Sequence, residues 1–215
     1  MNNWDCLYSK GVQGKHPSEM LIRFINANLI GANKKYKVLD LGCGTGRHLV
    51  YLAKNKFEVF GIDGSDKAIS ISKEWLRQEK LNASIKVGSI LDASLYEKNL
   101  DVVIDISSMQ HNLIEEIRAI VDIAYESLSK GGYFFSISKN PFDSLFQTGE
   151  LVEGNTYQFL DSTEKVNAPV IITFLDLAHL QDIFSKFSEL TVEKEEWTFD
   201  GMKKIVSHWV IRARK

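Results

Sequence analysis

The fold of this 215-residue chain is decided by the stretch VLDLGCGTGR at residues 38–47, followed by FEVFGID at residues 57–63. This pattern predicts a buried strand, a glycine-rich turn, a helix and a second strand that ends in an acidic residue. Glycines at positions 42, 44 and 46 allow a sharp turn and a close approach of the backbone to a ligand. Asp63 follows the turn at about the 20-residue spacing expected for an acid that binds ribose hydroxyls. The stretch therefore predicts a site for a nucleoside cofactor.

A carboxylate at the end of the first predicted strand narrows the choice of cofactor. Asp40 comes just before the glycine turn, so we expect it close to the ligand. A carboxylate there would repel a pyrophosphate, but it favours a ligand that carries an ammonium and a sulfonium group. The cofactor expected on this ground is S-adenosyl-L-methionine. The alternative, an NAD-type oxidoreductase, usually shows a GxGxxG turn without this acid, whereas the glycines alternate here.

From about Tyr36 to Lys215, the chain resembles the class I S-adenosylmethionine-dependent methyltransferases. The resemblance starts with VLDLGCGTGRHLVYLA and GIDGSDKAI, and it continues with IKVGSI at 85–90, LDVVID at 100–105 and LSKGGYFF at 128–135. The segments 149–157, 173–176 and 207–211 are similar to small-molecule methyltransferases of the tellurite-resistance and thiopurine groups. These groups imply methyl transfer to a small-molecule oxygen, sulfur or nitrogen, with release of S-adenosylhomocysteine. A non-catalytic protein that binds or senses S-adenosylmethionine is the alternative.

The order of predicted elements indicates an α/β fold. Hydrophobic periodicity predicts strands at 36–41, 57–62, 84–87, 100–106 and 132–138, and helices at about 46–55, 65–80, 112–128 and 176–187. A helix that begins at Ser18 precedes them, and two long strands joined near Asp200-Gly201 follow. The alternation predicts a mostly parallel sheet with helices on both faces. The resemblance implies a Rossmann-like sheet of seven strands, with an antiparallel last strand beside the fifth.

Length and composition indicate a single methyltransferase domain over residues 1–215, because 44% hydrophobic content suits one substantial core. Within it we expect an N-terminal helical cap at 1–32 and an insertion at 140–175 that covers the acceptor site. The net charge of −2 and the scattered Lys and Arg residues argue against a nucleic-acid partner. No apolar run approaches the ~18 residues of a membrane span. We expect a soluble, cytoplasmic protein, monomeric or weakly homodimeric, without a metal or a disulfide.

The resemblance assigns the cofactor contacts. Asp40 is expected to hold the ammonium group, either directly or through water, and Asp63 is expected to hold the ribose. The adenine contact is expected from the Ser89 hydroxyl and the Ile90 backbone, because the aspartate common at position 89 in the family is absent. Asp92 is an alternative adenine contact, or else a helix cap. The full set of expected cofactor-binding residues is Asp40, Gly42, Cys43, Gly44, Asp63, Gly64, Ser89, Ile90 and Asp105.

The acceptor site is expected where the loop after the fourth strand faces the methyl group. His111 in this loop is the candidate catalytic base, since imidazole titrates near neutral pH. The alternative is that it only lines the pocket or lies near the start of the next helix. The Asn/Asp-Pro-Pro-aromatic sequence of enzymes that methylate base or amide nitrogens is missing here, which argues against that chemistry. The residues expected to contact the methyl acceptor are Trp4, Tyr8, His16 and Tyr157.

Overall fold

The computed structural model describes residues 3–9, 11, 14–30, 34–160 and 169–215. The helices are α1 (Asn3–Ser9), α2 (Glu19–Asn28), α3 (Arg47–Lys54), α4 (Asp66–Gln78), α5 (Ile114–Ser127) and α6 (Leu177–Ile183). The strands are β1 (Lys37–Leu41), β2 (Glu58–Asp63), β3 (Ser84–Val87), β4 (Leu100–Ile106), β5 (Leu128–Lys139), β6 (Glu150–Glu153), β7 (Thr156–Leu160), β8 (Pro169–Thr173), β9 (Glu189–Phe199) and β10 (Lys204–Arg214).

The main sheet has seven strands in the order β3-β2-β1-β4-β5-β10-β9. The first five strands pair in parallel, and β10 runs antiparallel between β5 and β9. The predicted seven-stranded Rossmann-like sheet is therefore confirmed, including the antiparallel strand beside the fifth. Strand order reverses between β1 and β4, and open α/β sheets bind ligands outside the carboxyl ends of the strands at such a point.

The core lies on both faces of this sheet. One cluster packs α5 and α6 against the sheet through Ile117, Val121 and Leu180, and the other packs α2, α3 and α4 against the opposite face. Val102 and Val103 belong to different clusters, as expected for neighbouring residues of one strand. The predicted helix beginning at Ser18 is also present, because Ser18 occupies the N-cap position of α2.

Some element boundaries differ from the sequence prediction. Strand β5 begins at Leu128, directly after α5, whereas the pattern predicts a start at 132. Gly131 has a φ of +78° and the β4–β5 pairing shifts register between Leu100 and Val102, so this early segment is an irregular extension of the strand. Helix α6 ends at Ile183, four residues before the predicted end. Among the described residues, no helix has both the length and the apolar character needed to cross a membrane.

A second, three-stranded antiparallel sheet is formed by β6, β7 and β8 within the predicted insertion. Tyr157, Ile172 and Phe174 form its own small apolar cluster. The Thr173 hydroxyl donates a hydrogen bond of 2.7 Å to the carbonyl of Asn112, in the loop after β4. The second sheet therefore attaches directly to the loop that carries His111.

Candidate cofactor and acceptor site

A cavity of about 380 Å³ opens at the carboxyl ends of β1, β2 and β4. This volume is within the range of about 300–1,000 Å³ that small-molecule sites occupy. The residues that line the cavity are Trp4, Leu7, Tyr8, Gly14, Gly42, Cys43, Gly44, Thr45, Arg47, His48, Asp63, Gly64, Gly88, Ser89, Ile90, Ile106, Ser107, Ser108, His111 and Asn112. The cavity thus lies at the point where the strand order reverses.

The glycine turn between β1 and α3 requires its glycines for two separate reasons. Gly42, Gly44 and Gly46 have φ values of +65°, +53° and +92°, which residues with a side chain rarely adopt. A Cβ atom at Gly42 would also overlap the Ser108 side chain, and a Cβ at Gly44 would lie 3.0 Å from the Tyr8 hydroxyl oxygen. The turn therefore leaves its backbone open to the cavity while it packs closely against its neighbours.

Asp63 stands at the end of β2 in the cavity wall. One of its carboxylate oxygens accepts a hydrogen bond from the backbone N–H of Gly44, and the other accepts from that of Ser65, both at 2.8 Å. Burial raises the pKa of Asp63, while these two backbone donors oppose the rise. Each carboxylate oxygen has a second lone pair. The side chain can therefore hold the glycine turn and accept hydrogen bonds from a ligand at the same time.

Asp40 is buried and does not line the cavity. Its Oδ2 atom has no hydrogen-bond partner and lies 3.5 Å from Nδ1 of His48, which does line the cavity. The backbone N–H of Ser18 donates to Nε2 of His48 at 3.4 Å. Nε2 therefore accepts this hydrogen bond, and Nδ1 is the ring nitrogen that faces Asp40. His48 is thus a cavity-lining side chain that also lies next to the buried Asp40 carboxylate.

Asp105 is fully buried at the end of β4 and does not line the cavity either. Its carboxylate accepts from the backbone N–H of Met109 at 2.8 Å and from that of Ser108 at 3.2 Å. The Ser136 hydroxyl donates to its other oxygen at 2.7 Å. Burial raises the pKa of Asp105 to about 6. Asp105, which the resemblance implies as a cofactor contact, therefore holds the loop that follows β4 and lies outside the cavity lining.

His111 lies in that loop, in the cavity wall. Its Nδ1 atom is 2.8 Å from the carbonyl oxygen of Ile171 in β8. A carbonyl only accepts, so Nδ1 carries the hydrogen and the lone pair of the neutral ring is on Nε2. Burial lowers the pKa of His111, which favours this neutral form. The Trp4 ring packs edge-on at 4.9 Å between ring centroids, so α1 covers the histidine.

Ser89, Ile90 and Asp92 form the turn after β3. The Ser89 hydroxyl oxygen accepts from the backbone N–H of Leu91 at 3.1 Å, which leaves the hydroxyl hydrogen free to donate. Asp92 is exposed and caps a short 3-10 turn by accepting from the backbone N–H of Ser94 at 2.9 Å. Of the two roles left open for Asp92, the structure shows the cap.

The cavity brings together ten of the residues singled out in the sequence: Trp4, Tyr8, Gly42, Cys43, Gly44, Asp63, Gly64, Ser89, Ile90 and His111. Four others do not line it, namely Asp40, Asp105, His16 and Tyr157. His16 is exposed, and Tyr157 packs against Phe146 and Phe174 in the second sheet. The Tyr157 ring, an expected acceptor contact, therefore packs in the aromatic cluster and not in the cavity lining.

Several lining residues were missed in the sequence. Trp4, Leu7 and Tyr8 stand at i, i+3 and i+4 of α1, so one helix face meets the cavity, and this spacing was a usable signal for Leu7. Arg47 and His48 directly follow the glycine turn, so their position relative to this motif was a usable signal, as it was for Asp63. Gly14 has no local signal.

Three acidic side chains lie close together at the end of the sheet where the cavity opens. The acids Asp40, Asp63 and Asp105 converge from the ends of three neighbouring strands, and the Asp40 charge adds to the burial that raises the pKa of the other two. Three acidic side chains in or close to the cavity favour a cationic ligand there. Among the residues that the structure describes, no three His, Cys, Asp or Glu side chains group in a way that could hold a metal ion.

A family profile described as "Methyltransferase domain" matches residues 32–206, and the chain belongs to this family. Among curated proteins, the chain is similar to the probable S-adenosyl-L-methionine-dependent methyltransferase TehB of Haemophilus influenzae, with 29% identity over 140 residues. That match covers 60% of this chain and 49% of TehB. The chain spans about half the length of the curated relatives it matches.

Solved structures show the same fold. The crystal structure of TehB from Haemophilus influenzae has a TM-score of 0.67 at 19% identity, and the match covers 99% of this chain and 67% of that one. A structure from work on the conversion of a disulfide bond into a thioacetal group during echinomycin biosynthesis has a TM-score of 0.71 at 22% identity, over 99% of this chain and 90% of that one. At these identities the likeness concerns the fold alone.

The cofactor of this class is S-adenosyl-L-methionine, and the cavity fits it. The glycine turn exposes a backbone cradle that a Cβ would fill, and Asp63 offers lone pairs for hydroxyl donors. The unpartnered carboxylate oxygen of Asp40 supplies negative charge next to this cradle. A cationic ligand with a nucleoside part is the chemistry that these groups match.

Proposed function

We propose that the chain transfers the methyl group of S-adenosyl-L-methionine to a small-molecule nucleophile, an oxygen, sulfur or nitrogen, and releases S-adenosyl-L-homocysteine. The observation that carries the proposal is the position of His111, which lines the same cavity as the glycine turn and Asp63. When bound, the cofactor supplies an electrophilic methyl group on a sulfonium. The protein's own contribution is to bind, to position the acceptor and to exclude water.

The cofactor would be held by residues that line the cavity. Gly42, Cys43 and Gly44 offer their backbone to the amino-acid part, and Asp63 and Gly64 stand where the ribose is expected. Ser89 and Ile90 are the proposed adenine contacts. The Ser89 hydroxyl can donate, and the Ile90 carbonyl already accepts from the Tyr96 hydroxyl at 2.6 Å, so the turn keeps a defined shape. Asp40 acts as a charge close to the cavity and not as a wall residue.

His111 is the proposed catalytic base. Its bond to the Ile171 carbonyl leaves Nε2 as the unprotonated nitrogen, so the ring can accept a proton from an acceptor hydroxyl, thiol or ammonium group. The base acts in its neutral form, and burial lowers its pKa from the usual value of about 6.5. The transfer rate should therefore stay level as the pH falls to about 6.5, and decline only at lower pH.

The acceptor site is proposed to be enclosed by two covers, the cap at 1–32 and the insertion at 140–175. In the described part of the cap, Trp4 contacts His111, and Asp5 accepts a hydrogen bond from the Ser65 hydroxyl at 2.5 Å. In the insertion, β8 supplies the carbonyl that orients His111. An acceptor confined between the glycine turn and these covers must be small. Trp4 and Tyr8 are its proposed contacts.

The test is a screen of a metabolite pool with methyl-labelled S-adenosylmethionine, in which labelled products are detected by mass spectrometry. The wild-type chain should label at least one small molecule. Asp63→Ala should lose labelling because cofactor binding is weakened. His111→Ala should lower turnover but keep cofactor affinity, whereas His16→Ala, the matched exposed histidine, should change neither. Tight cofactor binding without any labelled product would contradict the proposal and favour a sensing role.

A further inference from the structure

Arg47 differs from the other five arginines of the chain in its charged surroundings. Arginines 23, 77, 118, 212 and 214 each lie 2.6 to 3.6 Å from an acidic side chain. Arg47 has no acidic partner within ion-pair distance among the residues that the structure describes, although it is half-buried and lines the cavity. A guanidinium group in a partly desolvated site without a counter-ion is unfavourable. Arg47 is therefore a candidate binding group for an anion.

The start of α3 does not stabilise the positive charge of Arg47. It is the first residue of α3, where the positive end of the helix dipole disfavours a cation, and the first turn of α3 contains no acid. The neighbouring segment leaves room for its side chain: a Cβ atom at Gly14 would lie 3.2 Å from both Cδ and Nη1 of Arg47. The absence of a side chain at Gly14 thus leaves space for the Arg47 guanidinium group, which packs against Gly14 in the cavity wall.

Charges of both signs therefore lie in the cavity wall or close behind it. The carboxylates of Asp40 and Asp63 lie at the ends of β1 and β2, and Arg47 begins the helix that follows the same turn. A ligand group with an ammonium and a carboxylate matches this pair of poles. The planar guanidinium fork suits a carboxylate through two parallel N–H···O bonds, which an ammonium side chain cannot provide.

We propose that Arg47 binds a carboxylate in this cavity, either that of the amino-acid part of the cofactor or that of an acidic methyl acceptor. The inference rests on the proposed function, since it takes the cavity as the cofactor and acceptor site. It adds a recognition residue and a chemical class of ligand group to that site. The two sources of the carboxylate share one chemistry, and they are separated by experiment.

The first arm is calorimetric binding of S-adenosylmethionine and of decarboxylated S-adenosylmethionine, which keeps the ammonium and sulfonium groups but lacks the carboxylate. If the cofactor supplies the carboxylate, Arg47→Gln should weaken binding of the first ligand about 10- to 100-fold and leave binding of the second unchanged. Arg47→Lys should show a smaller loss, because it keeps the charge without the fork. Arg23→Gln, which removes an exposed guanidinium, is the matched control.

The second arm uses protein saturated with S-adenosylhomocysteine and benzoate as a carboxylate probe. If the acceptor supplies the carboxylate, Arg47→Gln should abolish benzoate binding while cofactor affinity stays unchanged. The inference is overturned if Arg47→Gln and Arg47→Lys alter neither arm, or if they weaken both cofactor ligands equally. If the wild-type protein binds neither cofactor ligand, the cofactor site itself is wrong, which is a separate outcome from the failure of Arg47 alone.

Discussion

Replacement of Asp63 by asparagine tests the cofactor site with little change of volume. Both carboxylate oxygens already accept backbone N–H groups at 2.8 Å, so an amide NH₂ must face one of those donors. The variant also loses the negative charge that strengthens hydrogen bonds to ligand hydroxyls. Hydrogen bonds that involve a charged group contribute about 1.5–3 kcal/mol, so Kd should rise about 10- to 150-fold.

The assay is calorimetric titration with S-adenosylhomocysteine at pH 7.5, together with thermal unfolding of each variant. Asp92→Asn is the matched control, since Asp92 is exposed and caps a turn, and its affinity should stay within about twofold of wild type. Burial raises the pKa of Asp63, so removing the buried charge offsets part of the cost of placing an amide NH₂ against a backbone donor, and the variant should remain folded. An Asp63→Asn affinity equal to that of wild type would refute the assigned role.

Three further substitutions test how the site is held together. Gly42→Ala should destabilise the fold by about 2–5 kcal/mol in chemical denaturation, because residue 42 has a φ of +65° and its new Cβ would overlap the Ser108 side chain. Adding Ser108→Gly should restore part of the loss. An unchanged free energy of unfolding in Gly42→Ala would contradict this packing. Thr173→Val removes the hydroxyl that donates to the Asn112 carbonyl, in the loop that carries His111. The free energy of unfolding should fall by about 1–3 kcal/mol. Turnover should also fall, while the affinity for the cofactor stays unchanged. Turnover equal to that of the wild type would refute the link between Thr173 and the position of His111. His208 is buried, and burial lowers its pKa to about 4, against about 6.5 in the unfolded chain. The stability that its neutral form contributes is therefore complete above pH 6.5 and lost as the pH falls toward 4. The free energy of unfolding should drop by about 2 kcal/mol between pH 7.5 and 5, and His208→Gln should remove that drop.

Much of the fold could be predicted from local patterns. The glycine turn and Asp63 belong to one strand–turn–helix–strand unit, β1–α3–β2, whose geometry depends on residues close in sequence. The parallel sheet follows from alternating helices and strands, and the Asp200-Gly201 turn correctly separates β9 from β10. These features depend on residues close in sequence.

The parts that were missed depend on contacts between distant segments. The group that orients His111 is the backbone carbonyl of Ile171, 60 residues away, and any residue could supply that carbonyl. Asp105 resembles a ligand-binding acid in the sequence, but the fold turns its carboxylate toward backbone N–H groups of its own loop. Arg47 is visible in the motif, yet its interest comes from the lack of an acidic partner among the described residues, which only a structure reveals.

The most direct test of the central claim is a crystal structure of the protein grown with S-adenosylhomocysteine. The account predicts density for the nucleoside between the glycine turn at 42–46 and the Asp63 carboxylate, with His111 facing the remaining space. An empty cavity, or a ligand bound elsewhere on the chain, would contradict it.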